Sequence, residues 1–161
     1  MEEIISYIRS KVKYSVAIIS AKDVNAVYNT KDTTWWTDLC YNFYHNIMQG
    51  GYREPYIKST EVYERELKKA NIYKILIIFG VRKSSCDKAY EMSKSLNRKF
   101  DALECVWVNN GIEVSPKGCT KANGLRFYLD KNKIPTDNII VVVDGGNDIP
   151  VFDAFPNNSY C

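Results

Sequence analysis

The sequence predicts an α/β protein in two unequal parts, an α+β layer over residues 1–115 and a βαβ-like tail over residues 116–161. Three stretches carry that reading. Tyr73-Lys-Ile-Leu-Ile-Ile-Phe79 is an apolar run closed by Gly80, the mark of a buried strand. Asn109-Asn110-Gly111 separates two strand-like segments as a hairpin turn does. Ile139-Ile-Val-Val-Val143 is five consecutive β-branched residues without alternation, which predicts a strand buried on both faces, as in parallel sheets.

The other elements follow in order. Ile4, Ile5, Ile8 and Val12 form a helical stripe across residues 2–12, and Ser15 to Ser20 reads as a short strand. Residues 28–56 are rich in aromatic side chains; Trp35, Trp36, Tyr41, Phe43 and Tyr44 fit a small core better than a substrate pocket. Glu61 to Ala70 reads as a charged, solvated helix. Ser84 or Ser85 is expected to cap a helix with the stripe Cys86, Ala89/Tyr90, Leu96 and Phe100. Ala102 to Val108 and Ile112 to Ser115 are the arms of the hairpin. Thr120 caps a helix that turns Ala122, Leu125 and Tyr128/Leu129 inward and stops at Pro135. A last helix begins near Asn147, carries Ile149, Val151 and Phe152, and ends before Pro156.

Composition excludes several classes. At 161 residues with 45% hydrophobic and 25% charged side chains, the chain is an ordinary globular one. Its net charge of +3 comes from dispersed lysines, so no nucleic-acid partner is expected. Cys40, Cys86, Cys105, Cys119 and Cys161 are odd in number and widely spaced, which predicts reduced thiols. No apolar run approaches the roughly 20 residues of a membrane span, and Met1-Glu2-Glu3 is acidic where a signal peptide is basic. These features predict a cytoplasmic protein without a membrane partner. His45 is the only histidine and is read as structural, which removes histidine-based zinc sites and histidine-dependent triads.

Chemistry is expected where the 139–143 strand ends. Asp144-Gly-Gly-Asn-Asp148 places two carboxylates around a sharp backbone turn, at the strand end where open α/β sheets bind ligands. Two carboxylates about 4 Å apart repel by roughly 4 kcal/mol at an effective dielectric typical of protein surfaces, so such a pair favours a cation. Oxygen ligands alone suggest Mg²⁺. Equally, the segment reads as a capping turn in which Asn147 or Asp148 satisfies free backbone N–H groups at a helix start.

Pro116-Lys-Gly-Cys-Thr-Lys-Ala-Asn-Gly-Leu125, then Ile134-Pro135, then Asn138 to Asp148 resemble the third and fourth motifs of the haloacid-dehalogenase-like (HAD) hydrolases, in particular the Cof-type and sucrose-phosphatase-like branch. The upstream order of Ser15 to Asn29, Glu54-Pro55, Tyr73 to Ile78 and the hairpin ending at Val114 is similar to the large α/β cap of that branch. The resemblance implies a cap domain at 1–115 and the C-terminal portion of a Rossmann-like HAD core at 116–161. It also implies hydrolysis of a small phosphorylated metabolite, such as a sugar phosphate, through an aspartyl-phosphate intermediate with Mg²⁺. By position, Lys121 would neutralise charge on the phosphoryl group, Asp144 and Asp148 would hold Mg²⁺, and Asn147 would orient phosphate or the neighbouring carboxylates. Lys121, Asp144 and Asn147 are thus the catalytic candidates, Lys121 and Asn147 the substrate-binding ones.

The chain departs from the family pattern at several points. Ala122 and Val143 stand where family members carry glycine, the family continues past Tyr160-Cys161 into another core strand, and no Asp-x-Asp nucleophile motif occurs. The expectation is therefore a partial HAD-type phosphatase, inactive alone. The alternative is a non-catalytic ligand-binding or interaction module derived from the cap, able to self-associate through an incomplete core edge.

Overall fold

A computed structural model describes the chain except for residues 14, 22–25, 30–38, 40–55, 70–71, 143–147 and 161. Among the described residues, a six-stranded sheet backed by three helices is followed by a smaller helical unit on a two-stranded sheet. The elements are α1 (Glu2–Lys11), β1 (Val16–Ala21), β2 (Ala26–Asn29), β3 (Tyr56–Lys58), α2 (Thr60–Lys68), β4 (Ile72–Ile78), α3 (Lys83–Lys99), β5 (Leu103–Val108) and β6 (Gly111–Pro116). There follow α4 (Lys121–Asn132), a 3₁₀ turn (Thr136–Asn138), β7 (Val141–Val142), α5 (Ile149–Ala154) and β8 (Ser159–Tyr160). None of these helices is long and apolar enough to cross a membrane.

The large sheet runs β3-β2-β1-β4-β6-β5, antiparallel throughout except for the β2–β3 pair. Register explains its core. Ile19 lies opposite Ile75 and Ile75 opposite Val114, while Ala17 and Ile112 flank Ile77 in the same way. Alternate residues of a strand share a face, so these side chains form one apolar layer. Over it pack Ile4, Ile5 and Ile8 of α1, Tyr63 of α2, and Ala89, Met92 and Leu96 of α3. Acidic Glu2 and Glu3 in the first turn of α1, and Arg9 and Lys11 in its last, complement the helix dipole. Gly111 is fixed by packing, because a β-carbon there would sit 2.8 Å from the Ile77 carbonyl oxygen.

Edge strand β5 is closed by a side chain. Asn97 of α3 donates from Nδ2 to the Cys105 carbonyl at 2.7 Å and accepts from the Cys105 N–H at 2.9 Å, so one amide stands in for a neighbouring strand. Asn97→Ala leaves both groups without that partner and is expected to cost about 1–3 kcal/mol. A urea titration compared with Asn97→Asp, which keeps only the acceptor, measures it.

The smaller unit has its own cluster of Ala122, Leu129, Val151 and Phe155, joined by Leu125, Ile134, Ile139 and Val141, and this cluster shares no residue with the larger one. Thr120 caps α4 by accepting from Asn123 N–H at 3.1 Å. Lys133 ends the helix in the left-handed region, its N–H bonded to the carbonyls of Asp130 and Leu129.

Several expectations are corrected. The helix at 60–68 is not wholly solvated: Tyr63 and Glu66 are buried, and Lys69 Nζ at 2.8 Å and Arg65 Nε at 3.3 Å compensate the Glu66 carboxylate. Arg82, not Ser84 or Ser85, stands at the α3 N-cap, and Tyr90 is exposed while Met92 and Ser93 turn inward. Tyr128 and Ile149 face outward. Over residues 139–142 only one face is packed, with Ile139 and Val141 partly buried and Ile140 and Val142 exposed, because among the described residues a single layer covers the segment; β8 lies beside it as a short parallel strand. Trp35, Trp36, Tyr41, Phe43, Tyr44 and His45, with Cys40 and Cys161, lie outside the described residues, whereas Cys86, Cys105 and Cys119 are free thiols.

Candidate active site

Helix α4 and the turn before α5 bring together two of the four site candidates. Lys121 is the first residue of α4, and Asp148 immediately precedes α5. Their packing is set by the apolar faces behind them, where Ala122 and Leu129 of α4 meet Val151 of α5 and Phe155 at its C-cap. Lys121 Nζ donates to Asp148 Oδ1. The partners differ sharply in setting, for the Asp148 side chain is 2% exposed and that of Lys121 58%. Asp148 makes no side-chain cap bond to its helix, so the capping-turn reading does not describe its side chain. Asp144 and Asn147 lie outside the described residues, as does Val143.

A buried carboxylate is costly unless paired, and here an ammonium provides the pairing. Because the ammonium sits on a half-exposed side chain, it remains reachable by an anion from solvent. A fixed cation beside a buried oxygen donor is suited to receiving a phosphoryl group, whose transfer depends on positioning and on cationic stabilisation of its oxygens. Lys121→Met removes the ammonium from Asp148 and is expected to destabilise the small unit by about 1–3 kcal/mol, read as faster amide exchange in α5. Among the described residues no three His, Cys, Asp or Glu side chains converge, so a metal site here depends on Asp144 in addition to Asp148.

Residues not singled out in the sequence lie close by. A cleft of about 560 Å³ is lined by Glu104, Val106 and Trp107 of β5, by Lys117, and by Ile149, which directly follows Asp148. No local motif marks it, since its walls come from strand, linker and helix segments far apart in sequence. The linker is tied to the larger sheet by Lys117 N–H to the Ala102 carbonyl at 3.0 Å and by Gly118 N–H to Glu104 Oε2 at 3.3 Å.

The described residues thus form a mixed α/β fold that carries a lysine–aspartate pair near a short parallel strand. The family model of haloacid dehalogenase-like hydrolases matches residues 2–160, and the chain belongs to that family. A search of curated protein sequences returned no match. Among solved structures, a Streptococcus mutans UA159 protein aligns with a TM-score of 0.72 at 17% identity, covering 99% of this chain and 54% of that one. A haloacid dehalogenase-like hydrolase from B. subtilis aligns at 0.67 and 15% identity, covering 95% and 56%. A HAD subclass IIB sugar phosphatase aligns at 0.64 and 18% identity, covering 93% and 50%. The chain therefore spans about half the length of the structures it matches.

Proposed function

We propose that this chain carries the cation-handling half of a phosphoryl-transfer centre, in a protein that hydrolyses a small phosphorylated metabolite. The observation that carries the proposal is the contact between Lys121 and the buried Asp148 in a member of the HAD-like hydrolases. In this reading residues 1–115 form the cap and residues 116–161 the C-terminal portion of the core. Lys121 attracts and neutralises the phosphoryl oxygens, and Asn147 orients them. A sugar phosphate is the substrate class favoured by the likeness to a sugar phosphatase.

The HAD phosphotransferases generally use Mg²⁺, and Asp148 suits it as a buried carboxylate with oxygen donors. Asp144 would be the second ligand, and the bound ion would offset negative charge at the phosphoryl group. The site is a cytoplasmic one in this proposal.

No Asp-x-Asp occurs in the sequence, so the chain alone is expected not to turn over p-nitrophenyl phosphate with Mg²⁺. It is expected to bind Mn²⁺ as a spin-active substitute for Mg²⁺, with loss of binding in Asp148→Asn. Mg²⁺-dependent turnover abolished by Asp144→Ala would overturn the inactivity, and absent Mn²⁺ binding would overturn the metal assignment.

A further inference from the structure

We infer that the groove between α1 and α3, on the helix side of the large sheet, binds a soluble amphipathic acid, with its apolar body on Phe79 and Met92 and its anionic group toward Lys11 and Lys88. The inference goes beyond the phosphoryl-transfer reading, because the residues of the groove belong neither to the Lys121–Asp148 pair nor to the cleft beside Ile149.

Two helical faces build the groove. The stripe of Ile4, Ile5 and Ile8 seats α1 on the sheet, which leaves Tyr7 and Lys11, one turn apart, along its flank. Lys88, Glu91, Met92 and Ser95 recur at helical spacing and form the facing side of α3. Phe79, directly after β4, is buried at the base, and Val12 and Lys13 close the end where α1 stops. The volume is about 720 Å³, within the roughly 300–1,000 Å³ of small-molecule sites.

The interior is apolar and the rim cationic. Phe79 and Met92 are buried, and an aromatic ring with a thioether accommodates apolar bodies of varied shape. Tyr7 is held in place as a wall. Its hydroxyl shares a hydrogen bond with Ser95 Oγ at 3.0 Å, Phe100 meets its ring edge-on at 6.1 Å, and Lys99 Nζ lies 4.1 Å from the ring centre. A preformed wall lowers the ordering cost of binding.

Lys11, Lys13 and Lys88 bring three ammonium groups to the lining, and Lys11 and Lys88 enter no ion pair among the described residues. Glu91, the carboxylate of the lining, pairs instead with Lys94 outside it, at 3.6 Å. Positive charge is thus left beside apolar surface, which is the complement of an amphipathic anion. Neither a bare anion nor an uncharged hydrocarbon satisfies both parts.

Anilinonaphthalenesulfonate, an amphipathic anion with no phosphate to hydrolyse, is the probe, added to the 161-residue chain. Saturable one-to-one binding is expected, read by fluorescence and by movement of the Met92 methyl proton signal, which Met92→Leu assigns. Octanoate should displace the probe, whereas inorganic phosphate and uncharged phenylnaphthylamine should not, and the chain should not sediment with phosphatidylglycerol vesicles. The double reversal Lys11→Glu/Lys88→Glu, at two exposed side chains, should weaken binding about tenfold or more. Lys68→Glu/Lys131→Glu makes the same change of net charge away from the groove and should stay within about twofold. If either double variant alters the circular dichroism spectrum, Lys11→Gln and Lys88→Gln replace the reversals. The inference is overturned by no binding at about 1 mM probe, by a Met92 signal that does not move, or by equal weakening in the two double variants. Inorganic phosphate or phenylnaphthylamine as effective as octanoate would also overturn it, as would vesicle binding that Lys11→Glu/Lys88→Glu abolishes. Failure here leaves the Lys121–Asp148 reading standing, since Mn²⁺ binding tests that one separately.

Discussion

Replacing Ile75 by alanine is expected to cost the fold about 2–5 kcal/mol, a large part of the stability of a domain this size. Ile75 lies at the centre of β4, fully buried, with Ile19 of β1 and Val114 of β6 opposite it on either side. All three side chains have 0% exposure, so the lost atoms leave a cavity bounded by strands on both flanks and helices above. Paired strands resist collapse into such a space, which places the cost toward the upper part of the range. Tyr73→Ala, on the same strand at 43% exposure, is expected to cost less than about 1 kcal/mol. Urea unfolding of the two variants side by side checks the contrast; equal losses would mean that β4 is not the centre of the core.

Alkaline solution is expected to unfold the protein through two buried acids. Burial pushes the Cys105 thiol up from 9.0 to about 11, with help from the Glu104 charge. Burial likewise pushes the Tyr63 phenol up from 10.0 to about 12, against a smaller opposing effect of Arg9. In each case the folded chain holds its proton where the unfolded chain has released it. Stability is therefore fully present below the unfolded value and falls as pH rises through the window between the two. That window is 9 to 11 for Cys105 and 10 to 12 for Tyr63. Holding one proton against solution costs about 1.4 kcal/mol for each pH unit, so each group removes roughly 2 kcal/mol or a little more across its window. Cys105→Ala should delay the first loss and Tyr63→Phe the second, in denaturant midpoints followed from neutral pH upward. Tyr63 Oη is also buried without a hydrogen-bond partner among the described residues, so Tyr63→Phe should be neutral or stabilising at pH 7. A midpoint that does not change between pH 8 and pH 12 would contradict both assignments.

Much of this architecture was legible in the sequence, for identifiable reasons. The stripes of α1 and α4 and the apolar run of β4 are long enough for periodicity to speak, and the turn at Asn109 shows as the left-handed backbone that Asn-Gly sequences favour. Strands β2, β3 and β8 were not legible. Each is four residues or shorter, and β3 pairs with a strand nearly thirty positions upstream, so no local pattern announces it. Glu66 defeated composition in another way, because its charge is offset by Lys69 and Arg65 on its own helix rather than by water.

The pairing of Lys121 with Asp148 was not legible in the sequence. Lys121 and Asp148 are separated by 27 positions, and only the packing of α4 on α5 makes them partners. Ile139 to Val143 read as a fully buried strand because its composition is apolar throughout, whereas among the described residues only Ile139 and Val141 of it are packed, on one face.

Gly118 has a mechanical consequence. Its N–H is held by Glu104 of the larger sheet, and its carbonyl accepts from Asn123 Nδ2 of α4 at 2.8 Å, with the backbone at a φ of 83°. The two peptide groups that flank Gly118 are therefore tied, one to the larger sheet and the other to α4. With both of those groups held, the segment leading to Lys121 keeps less freedom than an untied glycine would give it.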